Sequence, residues 1–381
     1  MSPLRRPAAP DPATAVAALR RILPEIAARA AALDHDGAFP AEDLAALHAA
    51  GLLRAPLPAA AGGHGLGTEP AGAAALAATL RLVGRASLPL GRLYEGHVNA
   101  LRLVLRHGDP GQRAAAAHDA LTGHLFAVWN TDAPDGTALR LHPEPGGGLR
   151  LTGRKILCSG AGFAARALVT ARAAPEDPPQ LLLVPLPPGQ RADLSTWTAQ
   201  GMRASASGAI DFTDLILPVN SRLGRPGAYE AQPDFSAGAW RFAAVQTGGI
   251  EALAEALRDH LRRTSRHADP HQAARLGQVA IAAETAHLWV EAAAQRAEAA
   301  DPHDAEAYVN LARLAVERAA LDVLELAQRS IGLMAFLRPN PAERIARDLA
   351  TYLRQPGPDR ALTAAAGHVA GAQPAFGDLW T

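Results

Sequence analysis

Few side chains in this 381-residue sequence stand in a pattern that could do chemistry unaided. The single cysteine, Cys158, has no histidine or basic neighbour in sequence to lower its pKa, so it reads as a small buried apolar residue rather than a nucleophile. His267 and His271 are four residues apart, but Pro270 interrupts the helix that would align them, and no metal site is expected. Gly62-Gly63-His64-Gly65-Leu66-Gly67 has the glycine density of a phosphate-binding loop. No strand-like run precedes it, and it reads as a connecting turn. Arg203 could hold a ligand phosphate or carboxylate, or pair with Asp211 or Asp214. No serine-nucleophile elbow and no cysteine-based motif occurs.

These residues need elements to place them, and composition says which. Apolar residues make up 49% of the chain and aromatics only 4%, with Ala and Leu dominant, which favours helices. Basic and acidic residues number 37 each, without a basic stripe, so nucleic acid is not an expected partner. One cysteine fits a reducing, cytoplasmic setting. Neither a secretion signal nor the roughly 20 uninterrupted apolar residues of a membrane span is visible.

The chain divides by pattern into a disordered tail over 1–12, a helical domain over 13–122, a β-domain over 123–228 and a helical bundle over 229–381. Leu19, Ile22, Leu23 and Ile26 share one helical face. Leu139-Arg140-Leu141 and Leu149-Arg150-Leu151 alternate with period two across a glycine-rich loop, which predicts a hairpin. Short strand-like runs at close spacing predict a small antiparallel barrel or sandwich. Asp269-Pro270-His271-Gln272 predicts a helix start with Gln272 reaching back, and Asp301-Pro302 predicts the next.

Motifs in a fixed order carry a family resemblance. They are Phe39-Pro40 with Leu44, Leu47 and Gly51-Leu52, the Pro58–Gly67 loop, His97 and the Gly108–Gln112 turn. Then come Gly153-Arg154-Lys155 through Ser159-Gly160, and Gly201-Met202-Arg203-Ala204-Ser205 with Phe212, Asp214, Pro218 and Asn220. Gln272, the run Gln328 to Gly332, and Arg347-Asp348 after Arg344 complete the order. From about Leu33 to Gly367 the chain resembles the acyl-CoA dehydrogenase family.

The resemblance implies an α+β fold: an N-terminal helical domain, a small middle β-barrel and a C-terminal four-helix bundle. It implies a flavin, FAD rather than FMN, contacted by Val128, Trp129, Asn130 and Thr131 and by Leu157 and Ser159. Trp129-Asn130-Thr131 stands where the family has Thr-Glu-Pro, and Ser159 falls beside the reactive edge of the ring. Donors aimed at the electron-rich part of a reduced flavin stabilise it. Arg263, carried over from the group Arg262, Arg263 and Arg266, would reach the cofactor pyrophosphate across a subunit interface, and Gln328 and Gly332 would join it. The resemblance further implies a homodimer or homotetramer and an acyl-CoA or acyl-carrier thioester substrate.

The catalytic glutamate of the family is missing. Its Glu-Gly falls on Pro356-Gly357, and proline brings neither a carboxylate nor an N–H. The alternative family position falls near Trp240, also without an acid, and Glu251 lies roughly 15 Å further along a helix. Tyr94-Glu95-Gly96 has the look of the missing motif but sits in the N-terminal domain and reads as coincidence. Three readings remain: an FAD-dependent oxidoreductase acting on an acyl thioester with a relocated base, Asp359 being the nearest acid; a flavin-dependent monooxygenase on the same fold; and a non-catalytic flavin-binding or scaffold protein. The first is the leading expectation.

Overall fold

The computed structural model describes residues 11–299 and 304–380. Most of the expected tail, and the expected helix start at Asp301-Pro302, lie outside the described residues. Asp11 and Pro12 belong to structure: the Asp11 carboxylate accepts from the Ala13 N–H and caps the first helix.

Five helices come first: α1 (Pro12–Arg29), α2 (Ala41–Ala49), α3 (Ala73–Ala86), α4 (Leu88–His107) and α5 (Pro110–Leu121). Helix α5 opens with a reciprocal capping box between Asp109 and Gln112. Ten strands follow: β1 (Phe126–Trp129), β2 (Arg140–Pro143), β3 (Gly148–Thr152), β4 (Arg154–Cys158), β5 (Arg166–Ala171), β6 (Gln180–Pro185), β7 (Ala192–Asp193), β8 (Gly208–Asp211), β9 (Leu215–Pro218) and β10 (Arg222–Leu223). They form three sheets, ordered β1-β5-β6-β10, β2-β3-β9 and β4-β8-β7. The predicted hairpin is β2-β3, with Leu141 opposite Leu151. One pairing differs from the antiparallel expectation, since β1 runs parallel to β5. The long connection between them, which carries β2 to β4, permits a crossover that a tight turn would forbid.

The chain then returns to helix: α6 (Asp234–Ala237), α7 (Trp240–Arg263), α8 (Pro270–Ala297), α9 (Ala305–Ile331), α10 (Pro341–Tyr352) and α11 (Pro358–Gly371). Helices α7, α8 and α9 pack on one another, and α11 packs on α9. Asp269 caps α8 as predicted, accepting from the His271 and Gln272 N–H groups. The Gln272 side chain does not reach back. Its amide serves Ser330 Oγ at 3.1 Å and Arg266 at 2.7 Å, because a buried amide is better satisfied by the neighbouring helix end than by its own cap.

Helix α3 crosses α7 where both carry glycine. A Cβ built on Gly248 would lie 2.1 Å from the Arg81 carbonyl oxygen, and one on Gly84 would lie 2.3 Å from that of Val245. The two backbones can therefore meet directly.

One cluster ties the three parts of the chain together. Arg347 on α10 pairs with Glu343 at 2.6 Å and with Asp34, after α1, at 2.5 Å, and donates to the Gln200 carbonyl at 2.5 Å. Asp348 accepts from the Met202 N–H at 2.6 Å and pairs with Arg344. Arg203 forms an ion pair, as the sequence allowed, but with Asp36 at 2.7 Å and Asp34 at 3.6 Å. Asp211 and Asp214 lie on other turns, with Asp214 taken by Arg150.

Candidate functional site

The three parts enclose a cleft of about 1720 Å³. Its walls come from α4, the end of β1, the Ile156–Ser159 segment, the start of α7, one face of α9 and the 351–361 stretch joining α10 to α11. Val128, Trp129, Asn130, Thr131, Leu157, Ser159 and Pro356 all line it. Arg263, Gln328, Gly332 and Asp359 are not among the lining residues. Asp359 sits in the first turn of α11 beside Arg360 and Ala361, which do line the cleft. Glu251 is paired with Arg81 at 2.6 Å, and Trp240 is fully buried.

Two backbone segments meet at one wall. The Trp129 indole N–H donates to the Ser159 carbonyl at 3.0 Å, which locks the end of β1 to the segment after β4. Leu157 is held at φ 56° with its side chain 55% exposed to the cleft. An apolar residue kept in a left-handed conformation and pushed into solvent is costly, and such strain collects at functional sites. Beside it the Ser159 hydroxyl accepts from Arg92 Nε at 3.3 Å. The wall thus offers an apolar face edged by polar donors, which suits a planar aromatic ring that becomes electron-rich along one edge. A flavin ring has that form, and the residues present fit it.

A buried ionic chain runs from this wall across the cleft. Arg92 pairs with Glu95, which is 2% exposed and also accepts from the Asn99 amide. Arg241, from α7, donates to Asn99 Oδ1 and lies 3.5 Å from Glu298, which Arg102 holds at 2.6 Å. Burial, with Arg102 nearby, pushes the Arg241 guanidinium down to about 10. Burial also opposes the charge on Arg92, but Glu95 more than offsets it and keeps that guanidinium firmly protonated. Burial pushes the phenol of Tyr229 up to about 12 and raises that of Tyr352, so both stay neutral.

Glu95 is the residue that sequence reasoning set aside. Tyr94-Glu95-Gly96 lies on α4, and Glu95 and Gly96 face the cleft. A signal was available: Arg92, Glu95 and Asn99, continued by Arg102 and Arg106, are spaced to share one face of a helix whose other faces are mainly apolar.

The opposite wall is cationic. Arg313 donates to the Pro356 carbonyl at 3.0 Å and stacks over the Phe242 ring at 5.1 Å. Burial lowers its pKa, and the nearby Arg360 adds to that. Arg354, on the same stretch, is paired with Glu317 at 2.8 Å. Among residues 354–357 there is no carboxylate. Cys158 is fully buried, and burial raises its thiol, so it is inert as expected. No cluster of metal-ligating side chains exists among the described residues.

With this geometry in place, comparison with known proteins is informative. The model of the acyl-CoA dehydrogenase N-terminal domain matches residues 15–124, and that of the C-terminal domain matches residues 226–362. The chain belongs to the acyl-CoA dehydrogenase family. Among curated relatives it is 33% identical over 270 residues to the L-evernosamine nitrososynthase of a Micromonospora species, covering 67% of this chain and 62% of that one. It is 32% identical to an amino sugar nitrososynthase of Streptomyces rubradiris, covering 67% and 64%. The matched region thus spans a little under two thirds of either relative. Three solved structures share the fold. They are KijD3 in complex with FMN and a dTDP-amino-keto sugar (TM-score 0.83, 22% identity, 99% and 98% covered), FMN-bound TdsC from Paenibacillus sp. A11-2 (0.83, 18%, 96% and 100%) and butyryl-CoA dehydrogenase from Megasphaera elsdenii (0.81, 16%, 93% and 97%). No described helix is long and apolar enough to cross a membrane.

Proposed function

We propose that this chain is a flavin-dependent monooxygenase that oxidises the amino group of a small, anionic substrate, a nucleotide-linked amino sugar being the class that fits. The observation that carries this reading is the wall at Pro356. A dehydrogenase acting on an acyl thioester needs a carboxylate within hydrogen-bond reach of the proton beside the carbonyl. Here that wall carries Pro356, its carbonyl tied to Arg313, with Arg354 and Arg360 alongside. Glu95 and Glu298, the buried acids that do face the cleft, are each committed to arginines. The position that the family gives to its base therefore offers no carboxylate to an acyl thioester. A guanidinium-rich wall instead suits the phosphates of a nucleotide carrier.

The identity with two nitrososynthases supports the same reading. When bound, the flavin supplies electrons to dioxygen and delivers one oxygen atom to the substrate. The chain's own part is to hold and shield. Trp129 and Leu157 form the apolar wall against the ring, and Ser159 and Asn130 present polar groups to its edge. Arg313 and Arg360 would hold the phosphates, and the rings of half-buried Tyr229 and buried Tyr352 would screen the cleft from water. We assign FMN as the cofactor. FMN is named with both KijD3 and TdsC, and that likeness supports the assignment.

The test loads the purified protein with FMN or FAD and reduces the flavin. Oxygen uptake is then followed with a dTDP-linked amino sugar, and the product is weighed by mass spectrometry. Oxygen-dependent mass gain at the amine is expected. Prompt anaerobic bleaching of the flavin by a simple acyl-CoA would overturn the reading.

A further inference from the structure

Lys155 is fully buried, which is rare for an ammonium and demands a reason. It lies on β4, two residues before the cleft-facing Leu157, and the proposed chemistry makes no use of it. Its Nζ donates to the Asn130 carbonyl at 3.1 Å, to Asp132 Oδ1 at 2.7 Å and to Thr170 Oγ1 at 3.2 Å. An ammonium has three protons and no lone pair, so all three donors are spent and the direction of each bond is settled. The Thr170 hydroxyl must accept from Lys155, and its own proton goes to Asn130 Oδ1. That fixes which way the Asn130 amide faces. Its oxygen is turned inward to Thr170, and its NH₂ is left at the cleft with no acceptor among the described residues. The Ser159 hydroxyl, on the same wall, accepts from Arg92 Nε at 3.3 Å.

We propose that Lys155, acting through Thr170, is a positioning residue that sets the polarity of Asn130, so that the amide meets the ligand with a donor, Asn130 Nδ2, and not with its oxygen. A donor so placed favours a ligand whose edge gains negative charge, and under the function proposed above, on which this part rests, that ligand is the reduced flavin. Buried and fully bonded, the relay is made before the ligand arrives, so none of the reorganisation falls on the binding step.

Two measurements decide it. In the flavin-free protein, the side-chain amide signals of ¹⁵N-labelled Asn130, assigned by their loss in Asn130→Asp, should shift in Thr170→Val and return in Thr170→Ser. Unchanged signals in Thr170→Val overturn the relay, whether or not the protein binds flavin. With FMN, Thr170→Val and Lys155→Met should weaken binding of the reduced form at least about tenfold while changing that of the oxidised form less than about threefold, and Thr170→Ser should restore the ratio. Equal weakening of both forms makes the lysine merely structural and overturns its polarity role. A wild type that binds no flavin sinks the functional reading but leaves the amide experiment to judge the relay.

Discussion

At the scale of single residues, charge buried in the wrong company decides behaviour. Glu95 neutralises Arg92, whose side chain is largely buried, so Glu95→Gln leaves that guanidinium without its counter-charge, while Arg241 keeps Glu298. Breaking a buried pair from one side costs about 3–5 kcal/mol, whereas replacing both partners by apolar residues is often close to neutral. Thermal melting should therefore show a large loss for Glu95→Gln and a much smaller one for the Arg92→Met, Glu95→Met double variant. Two other buried groups act on acid stability in opposite senses. His97, bonded to the Leu53 carbonyl and accepting from the Phe126 N–H, is pushed by burial down to about 4. A depressed folded pKa means stability present above 6.5 and lost as pH falls towards 4, worth about 3 kcal/mol. Asp348 is pushed by burial up to about 6, so its contribution is present at low pH and lost as pH rises from 3.8 through 6. Between pH 4 and 6 the two offset each other. Asp348→Asn removes one side, and its melting temperature should fall more steeply than the parent's over that interval. None of this was visible in sequence. Burial raises the groups' importance, and burial is a property of the fold; Glu95 was passed over because its motif was judged by chain position rather than by the helix face it shares with Arg92 and Asn99.

At the scale of elements, local chemistry was legible and close approach was not. The Asp269 cap, the Leu141/Leu151 register and the apolar face of α1 follow from side-chain preference and period alone. The parallel pairing of β1 with β5 and the partners of Arg203 do not, since they join segments far apart in the chain. The same holds for the glycines of α3 and α7, which in sequence are only weak points in helices. In the structure they are contact points, and Gly248→Ala would drive a methyl group into the Arg81 carbonyl. About 1–3 kcal/mol of overpacking is expected. It should appear as a melting temperature lowered by several degrees, while an alanine at Gly277 on α8, where nothing lies within 4 Å, should leave it unchanged or raised.

At the scale of the whole molecule, one surface is conspicuously dry. Leu333, Met334, Phe336 and Leu337, in the turn between α9 and α10, are 44–75% exposed side by side. A patch of that kind on a folded chain marks a contact surface. Light scattering should find a dimer or larger assembly, in keeping with the homodimer or homotetramer expected from the sequence, and Phe336→Glu should reduce its mass; a monomeric parent would refute the expectation. The Arg347 cluster bears on another property of the whole. Its guanidinium holds a residue after α1, a carbonyl of the 194–205 connection and its own helix at once, and Gly201 packs against the Arg347 backbone where no larger residue fits. A chimera that imports the β-sheets of a relative would therefore fail at this joint unless residues 200–203 and Asp34 travelled with them, so the natural unit of exchange is not the sheet region but the sheet region together with the two strips of helical chain that clasp it.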